Sequence, residues 1–138
     1  MRFLRKTAYA LWVLADMPED GTFTPAKVLA ERLRFPALFL SKVLKTLVKR
    51  GILESSTGPR GGFRLALPAH RVTVGAVVAA LEGSRTRPCV MGLAHCDRQD
   101  RPCVLHYGFD ALVAHIDCAI NQTTIRDLHL QAAGRQSA

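Results

Sequence analysis

Apolar residues recur with helical spacing along most of this chain, and the places where the rhythm fails inform as much as those where it holds. Phe3, Leu11, Trp12 and Ala15 fall on one stripe with Lys6 facing away, which predicts an amphipathic helix over Leu4–Asp16. Pro18-Glu19-Asp20-Gly21 reads as a loop. Thr24-Pro25 reads as a helix start, the threonine capping free N–H groups and the proline taking the first helical position. Val28, Leu29 and Leu33 supply that helix's apolar face, and Arg34-Phe35 makes a short turn. Pro36 opens a third helix, in which Leu40, Val43, Leu44, Leu47 and Val48 follow the i, i+3, i+4, i+7, i+8 pattern. Gly51 ends it in the left-handed conformation.

Two short helices around a tight turn predict a helix-turn-helix. The pattern then changes to strands, Ile52–Ser56 and Phe63–Leu67, around the turn Gly58-Pro59-Arg60-Gly61-Gly62, which predicts a wing. Thr73 caps a further helix carrying Val74, Val77, Val78 and Leu81, closed by Glu82-Gly83. Regular spacing breaks down over 84–102 and returns from about Val104, where Phe109, Leu112, Val113, Ile116 and Ile120 line one face. Little of the domain remains to cover that face, so it predicts a homodimer. Thr124–Asp127 resembles a capping box for a short final helix with Ile125 and Leu128, followed by a frayed tail. The expected fold is mainly α with a small β-hairpin wing. A winged helix-turn-helix occupies 1–83, a cysteine loop 84–103, a dimerisation helix and short terminal helix 104–130, and a flexible tail 131–138.

Charge sharpens this picture. The 138 residues carry a formal net charge of +8, and residues 1–72 hold all of the excess, with thirteen basic and five acidic side chains against six of each in 73–138. A basic half beside a neutral half points to double-stranded DNA as the partner. Arg2, Arg5 and Lys6 precede the apolar run Ala8–Ala15 as in a signal peptide, but Asp16, Met17, Pro18 and Glu19 form no small-residue cleavage site. The expected location is the cytoplasm, where cysteines serve more often as metal ligands than as disulfides.

Candidate chemistry falls in two places. The exposed N-terminal side of the third helix, Ala37, Leu38, Ser41 and Lys42, is expected to meet base edges in the major groove. Lys45 and Lys49 lie further along, at backbone distance. Arg60 at the wing tip suits a narrow minor groove, and Gly58, Gly61 and Gly62 permit the tight turn and close approach to phosphates. Arg2, Arg5 and Lys6 are expected phosphate contacts. Trp12, Phe39 and Phe63 read as core. The second place is Cys89, Cys96, Cys103 and His106, a C-x6-C-x6-C-x2-H set. Soft ligands of this kind suit an iron–sulfur cluster. Structural zinc favours Cys-x2-4-Cys knuckles, which are absent, and thiol oxidation without metal stays open. His95 reads as a loop residue and Cys118, off the apolar stripe, as non-ligating. No phosphate loop, nucleophile elbow or HExxH motif is present, and His70, His115 and His129 are scattered, so the chain does not read as an enzyme.

Several segments together carry a resemblance. Arg5-Lys6-Thr7-Ala8-Tyr9-Ala10-Leu11, Pro36–Leu47 followed by Gly51-Ile52-Leu53, and above all the wing Gly58–Leu65 resemble the IscR/NsrR-type winged-helix iron–sulfur regulators over about residues 1–128. The resemblance implies that the three loop cysteines ligate a cluster and that the long C-terminal helix forms a dimer. It also implies that the dimer sets two recognition helices on a palindromic operator. Cys103-Val104-Leu105-His106 is similar to the IscR-type arrangement, in which a histidine supplies the fourth ligand. Where NsrR-type members place an acidic ligand in the first helix, this chain has Ala8. The resemblance therefore favours a 2Fe–2S cluster over a 4Fe–4S one. Both cysteine gaps are six residues here, where the family's are nearer five.

Overall fold

A computed structural model describes residues 3–83 and 104–136. Helix α1 (Arg5–Asp16) leads into α2 (Ala26–Leu33) and α3 (Ala37–Lys49). The hairpin β1 (Leu53–Ser56) and β2 (Gly62–Leu65), a 3-10 turn (Ala69–Arg71) and α4 (Val74–Glu82) follow, and then α5 (Val104–Gln122) and α6 (Ile125–Gln136). The architecture is the expected one, mainly helical with a two-stranded antiparallel wing in the register Leu53↔Leu65, Glu54↔Arg64, Ser55↔Phe63, Ser56↔Gly62.

One core runs through α1, α2, α3, α4 and the start of α6. Leu14 and Met17, Leu29, Leu40, Leu44 and Leu47, Leu53, Val77 and Ile125 are all essentially inaccessible within it. Burying side chains of this size stabilises by about 1.5–3 kcal/mol each relative to exposure, so these positions dominate the fold. The third-helix stripe is as the spacing predicts, with Leu40, Val43, Leu44 and Leu47 buried and Val48 partly so.

Several local readings hold and several change. Thr73 caps α4, its Oγ1 accepting from Ala76 N at 3.1 Å. Gly51 sits at φ 74 behind α3, where Ile52 N bonds back to Leu47 O. Arg34 takes the left-handed conformation (φ 56, ψ 42) that closes α2 and forms the helix-turn-helix corner. Thr24 does not cap α2, which begins at Ala26 without a side-chain cap. Its backbone instead exchanges two 2.9 Å hydrogen bonds with Phe63, an isolated antiparallel bridge onto the two-stranded wing. Ala30 replaces Val28 on the buried face of α2, and Val28 is exposed. Trp12 is 49% exposed and not core, because it stands beside an apolar groove of about 260 Å³ between α1 and α6. Phe39 is 38% exposed and so also outside the buried core, while Phe63 is half-buried against it.

The C-terminal part differs most from expectation. The final helix is not short: α6 continues through Gln136, so of the expected tail only 137–138 lie outside the described residues. Thr124 and Asp127 form the expected capping box, with Thr124 N and Oγ1 donating to Asp127 Oδ2 at 2.8 and 2.7 Å and Asp127 N donating to Thr124 Oγ1 at 3.2 Å. Those hydroxyl and amide donors hold the Asp127 carboxyl below its ordinary range. Rather than trailing away, α6 lies on α1, where His129 Nδ1–H donates to the Ala15 carbonyl at 2.8 Å. That carbonyl is among the last four of α1, which have no partner within the helix. The starts of α4 and α6 are stitched together by Val74 N to Thr123 O and Ile125 N to Val72 O, both 2.8 Å. α5 leaves this joint packed against α4, where Gly75 leaves room for Asn121. Among the described residues no helix is long and apolar enough to cross a membrane.

Two stability predictions follow from these contacts. Gly62 sits at φ 140 with the Thr24 carbonyl and Pro25 N where a Cβ would be, so Gly62→Ala strains the backbone and separates wing from α2. Chemical denaturation is expected to show a loss of about 2–4 kcal/mol. Thr7 is fully buried on α1 and its Oγ1 has no hydrogen-bond partner among the described residues. Thr7→Val removes that hydroxyl at nearly constant shape and is expected to raise stability by about 1 kcal/mol in the same assay.

Candidate nucleic-acid interface

Amphipathicity fixes which side of α3 faces outward. Leu40, Val43, Leu44 and Leu47 face the core, so the opposite side carries Leu38, Ser41, Lys42, Lys45 and Lys49 at i, i+3, i+4, i+7 and i+11. All of these are exposed except Ser41, which is half-buried, and Ala37 is exposed at the helix start. Lys42, Lys45, Lys49 and Arg60 have no ion-pair partner among the described residues. Their charge is thus free to neutralise phosphates.

The other sequence-predicted contacts sort differently. Arg5 is exposed, with its guanidinium 5.7 Å from the Tyr9 ring centroid. Lys6 is half-buried, and Arg2 lies outside the described residues. Arg60 is exposed at the wing tip. Gly61 is buried inside the hairpin, where a Cβ would meet Ser56 O and Thr57 C. Its part in the interface is therefore the wing's shape and not a surface contact. Arg64 belongs to the wing's framework: it pairs with Glu54 at 2.9 Å, donates to Gly21 O at 3.3 Å and lies 4.4 Å from the Phe23 ring centroid.

An aromatic cluster that the apolar spacing does not reveal aligns these parts. Tyr9 of α1 stacks on Phe35 in the helix-turn-helix corner, with centroids 4.0 Å apart and planes within 8°, and meets Phe39 of α3 edge-on at 5.7 Å. Such pairs add about 0.5–1.5 kcal/mol beyond area burial and fix ring orientation. They hold α1 and the start of α3 in one geometry.

The candidate cluster ligands are not brought together by the described residues. Cys89, Cys96 and Cys103 lie outside them, as does His95. His106 stands in the first turn of α5, with only its backbone described. Among the described residues no three His, Cys, Asp or Glu side chains converge on a metal position. As a donor set, three thiolates and an imidazole fit a soft, thiophilic iron centre. Cys118 is a free, exposed thiol on α5. Ala8 lines the α1–α6 groove and offers no donor.

Comparison with known proteins agrees with this geometry. The sequence model of the Rrf2 family, described as "Iron-dependent Transcriptional regulator", matches residues 3–130. The HTH-type transcriptional regulator IscR of Yersinia enterocolitica is 30% identical over 145 residues, spanning 99% of this chain and 87% of that protein. Among solved structures, CymR, the global cysteine regulator of B. subtilis, superposes with a TM-score of 0.79 at 18% identity, over 95% of this chain and 98% of its own. T. potens IscR gives 0.76 at 24% identity, over 100% and 93%.

If Lys45 meets a phosphate, Lys45→Ala is expected to lower the slope of log affinity against log salt by about one per protomer and to weaken all sequences alike. Fluorescence anisotropy across a salt series measures it.

Proposed function

The chain belongs to the Rrf2 family of transcriptional regulators, and we propose that it acts as a homodimer on palindromic operator DNA under control of a 2Fe–2S cluster held by Cys89, Cys96, Cys103 and His106. DNA binding and a regulatory, non-enzymatic role come with the family. The cluster, its type and the dimer are our reading of this chain's own residues.

One observation carries the proposal: the ligand set runs straight into α5. Val104 begins that helix directly after Cys103, and His106 lies in its first turn. Leu105, Tyr107, Phe109 and Leu112 along the same helix are exposed in the single protomer, at 53, 73, 40 and 55%. Apolar exposure of that extent on one helix suits burial against a second copy.

A bound 2Fe–2S cluster supplies a centre whose charge and integrity respond to iron supply, oxidants or nitric oxide. The residues around it do the rest. Three thiolates bind, and the neutral imidazole of His106 in place of a fourth thiolate leaves the site less negative and open to loss by protonation. A change in ligation at His106 acts directly on the first turn of α5. Its far end is fixed to the reading head by Gly75 against Asn121 and by the stitched starts of α4 and α6. A change at the ligand end therefore alters the angle between the head and the dimer axis. Operator half-sites lie about 34 Å apart, so that angle decides whether both recognition helices fit.

Anaerobic purification with absorbance and iron, sulfide and zinc analysis tests the reading. We expect a brown protein with about two irons and two sulfides per chain, bleached in Cys103→Ala and spectrally shifted in His106→Ala. A colourless protein holding zinc or no metal overturns the cluster and points to thiol sensing, without touching the DNA-binding assignment.

A further inference from the structure

The exposed face of α3 carries an unusually short chemical alphabet. The helix contains no Arg, Asn, Gln, Asp or Glu anywhere in Ala37–Lys49. It therefore lacks the bidentate reader of guanine that arginine provides, the Asn or Gln reader of adenine, and the carboxylate that accepts from the cytosine amino group. In its first two turns only Ser41 and Lys42 have side chains able to hydrogen-bond. Thr46, the next hydroxyl, is turned back onto Lys42 O at 3.0 Å.

Leu38 occupies the place where such a reader would stand. It is 84% exposed, more than any other large hydrophobic residue described. A lone exposed leucine usually means nothing. Here its surroundings differ from those of a stray surface residue. It is the second residue of the helix, at the end that meets base edges. Ala37 is exposed beside it, and Lys42 and Lys45 follow on its face to hold that face against phosphates. The core-facing side of α3 is already filled by Leu40, Val43, Leu44 and Leu47, so Leu38 has no inward alternative.

We propose that Leu38 sets the sequence preference of this protein by packing on the C5-methyl group of a thymine in each half-site. This rests on the reading of α3 as the recognition helix. A leucyl side chain neither donates nor accepts a hydrogen bond, so the thymine methyl is the one base-edge feature of the major groove it can recognise positively. Cytosine, adenine and guanine present amino groups or ring acceptors there, which lose water against the side chain without a replacement partner. Lys42 then reads guanine O6 and N7 beside it, and Ser41 tolerates either base type. The operator is expected to hold a thymine next to a guanine in each half, with weak preference elsewhere under α3.

The experiment begins by selecting bound duplexes from a randomised pool with the full chain, wild type and Leu38→Ala. Each conserved dT of the selected site is then replaced by dU, which removes only the methyl group. The expected result is a loss of about three- to tenfold in wild-type affinity at one position per half-site, absent in Leu38→Ala, with binding at all other positions unchanged. Wild type that selects no sequence overturns the recognition-helix reading itself. Sequence-specific binding in which dT→dU costs nothing, or costs Leu38→Ala as much as wild type, overturns the leucine–methyl contact alone. Because Leu38 is outside the core, loss of folding does not confound the comparison.

Discussion

Everything in this molecule hangs on the burial of α1. Thr7, Ala10, Leu11, Val13, Leu14 and Ala15 are all inaccessible, more than one face of a twelve-residue helix. The helix touches α2, α3, α4 and α6, so it is enclosed rather than laid on a surface. Its ends are tied as well, Leu4 N donating to Glu82 Oε1 at 3.0 Å and Ala15 O accepting from His129. Hydrophobic burial is non-directional, so on its own it holds α3 near α1 without fixing the angle. The Tyr9–Phe35–Phe39 cluster supplies the direction, and it does so at the corner where α3 begins. The reading helix is thus oriented by rings and held by aliphatic packing.

The same economy explains the joint between the reading head and α5. Val72–Val74 and Thr123–Ile125 form a short antiparallel pairing at the starts of two capped helices. Helix starts carry unpaired N–H groups, and here Val74 N and Ile125 N are satisfied by the other segment's carbonyl and Ala76 N and Asp127 N by the helix's own threonine. α6 then returns to pack on α1, so the piece of chain after α5 is part of the reading head. The C-terminal helix therefore does two jobs: it closes the core through Ile125, and it fixes the end of α5. α5 is thus tied to the head at its C-terminal end, and of the proposed ligands His106 stands in its first turn at the other end.

Charge and shape divide the interface between them. The basic excess lies in the first half of the sequence, but not every basic residue there is available to DNA. Arg64 is taken by Glu54, Gly21 and Phe23, and Arg32 by Asp16 at 2.8 Å. Lys42, Lys45, Lys49 and Arg60, on α3 and the wing tip, are exposed and in no ion pair among the described residues, as are Arg34, Arg50 and Arg71. Surface ion pairs of the Arg32 kind contribute little to stability, so their main effect is to remove charge from the exposed set.

The sequence by itself determined every helix from α1 to α5, the wing and its glycines, the capped starts of α4 and α6, and the outward face of α3. These depend on periods of 3.6 and 2 and on capping chemistry, which act over a few residues. The extent of α6 was not legible, because its polar, alanine-containing run holds no apolar stripe and gains its helix from packing on α1. Trp12 reads as core for the opposite reason: it lies on the apolar side of α1, and only the placement of α6 leaves a groove beside it. Thr24 reads as a cap until the wing arrives to claim its backbone. The aromatic corner, the Thr73–Thr124 pairing and the distinction between free and committed arginines likewise join residues far apart in the chain, so only the tertiary structure decided them. Local rules place a side chain on a face, and long-range packing determines what that face meets.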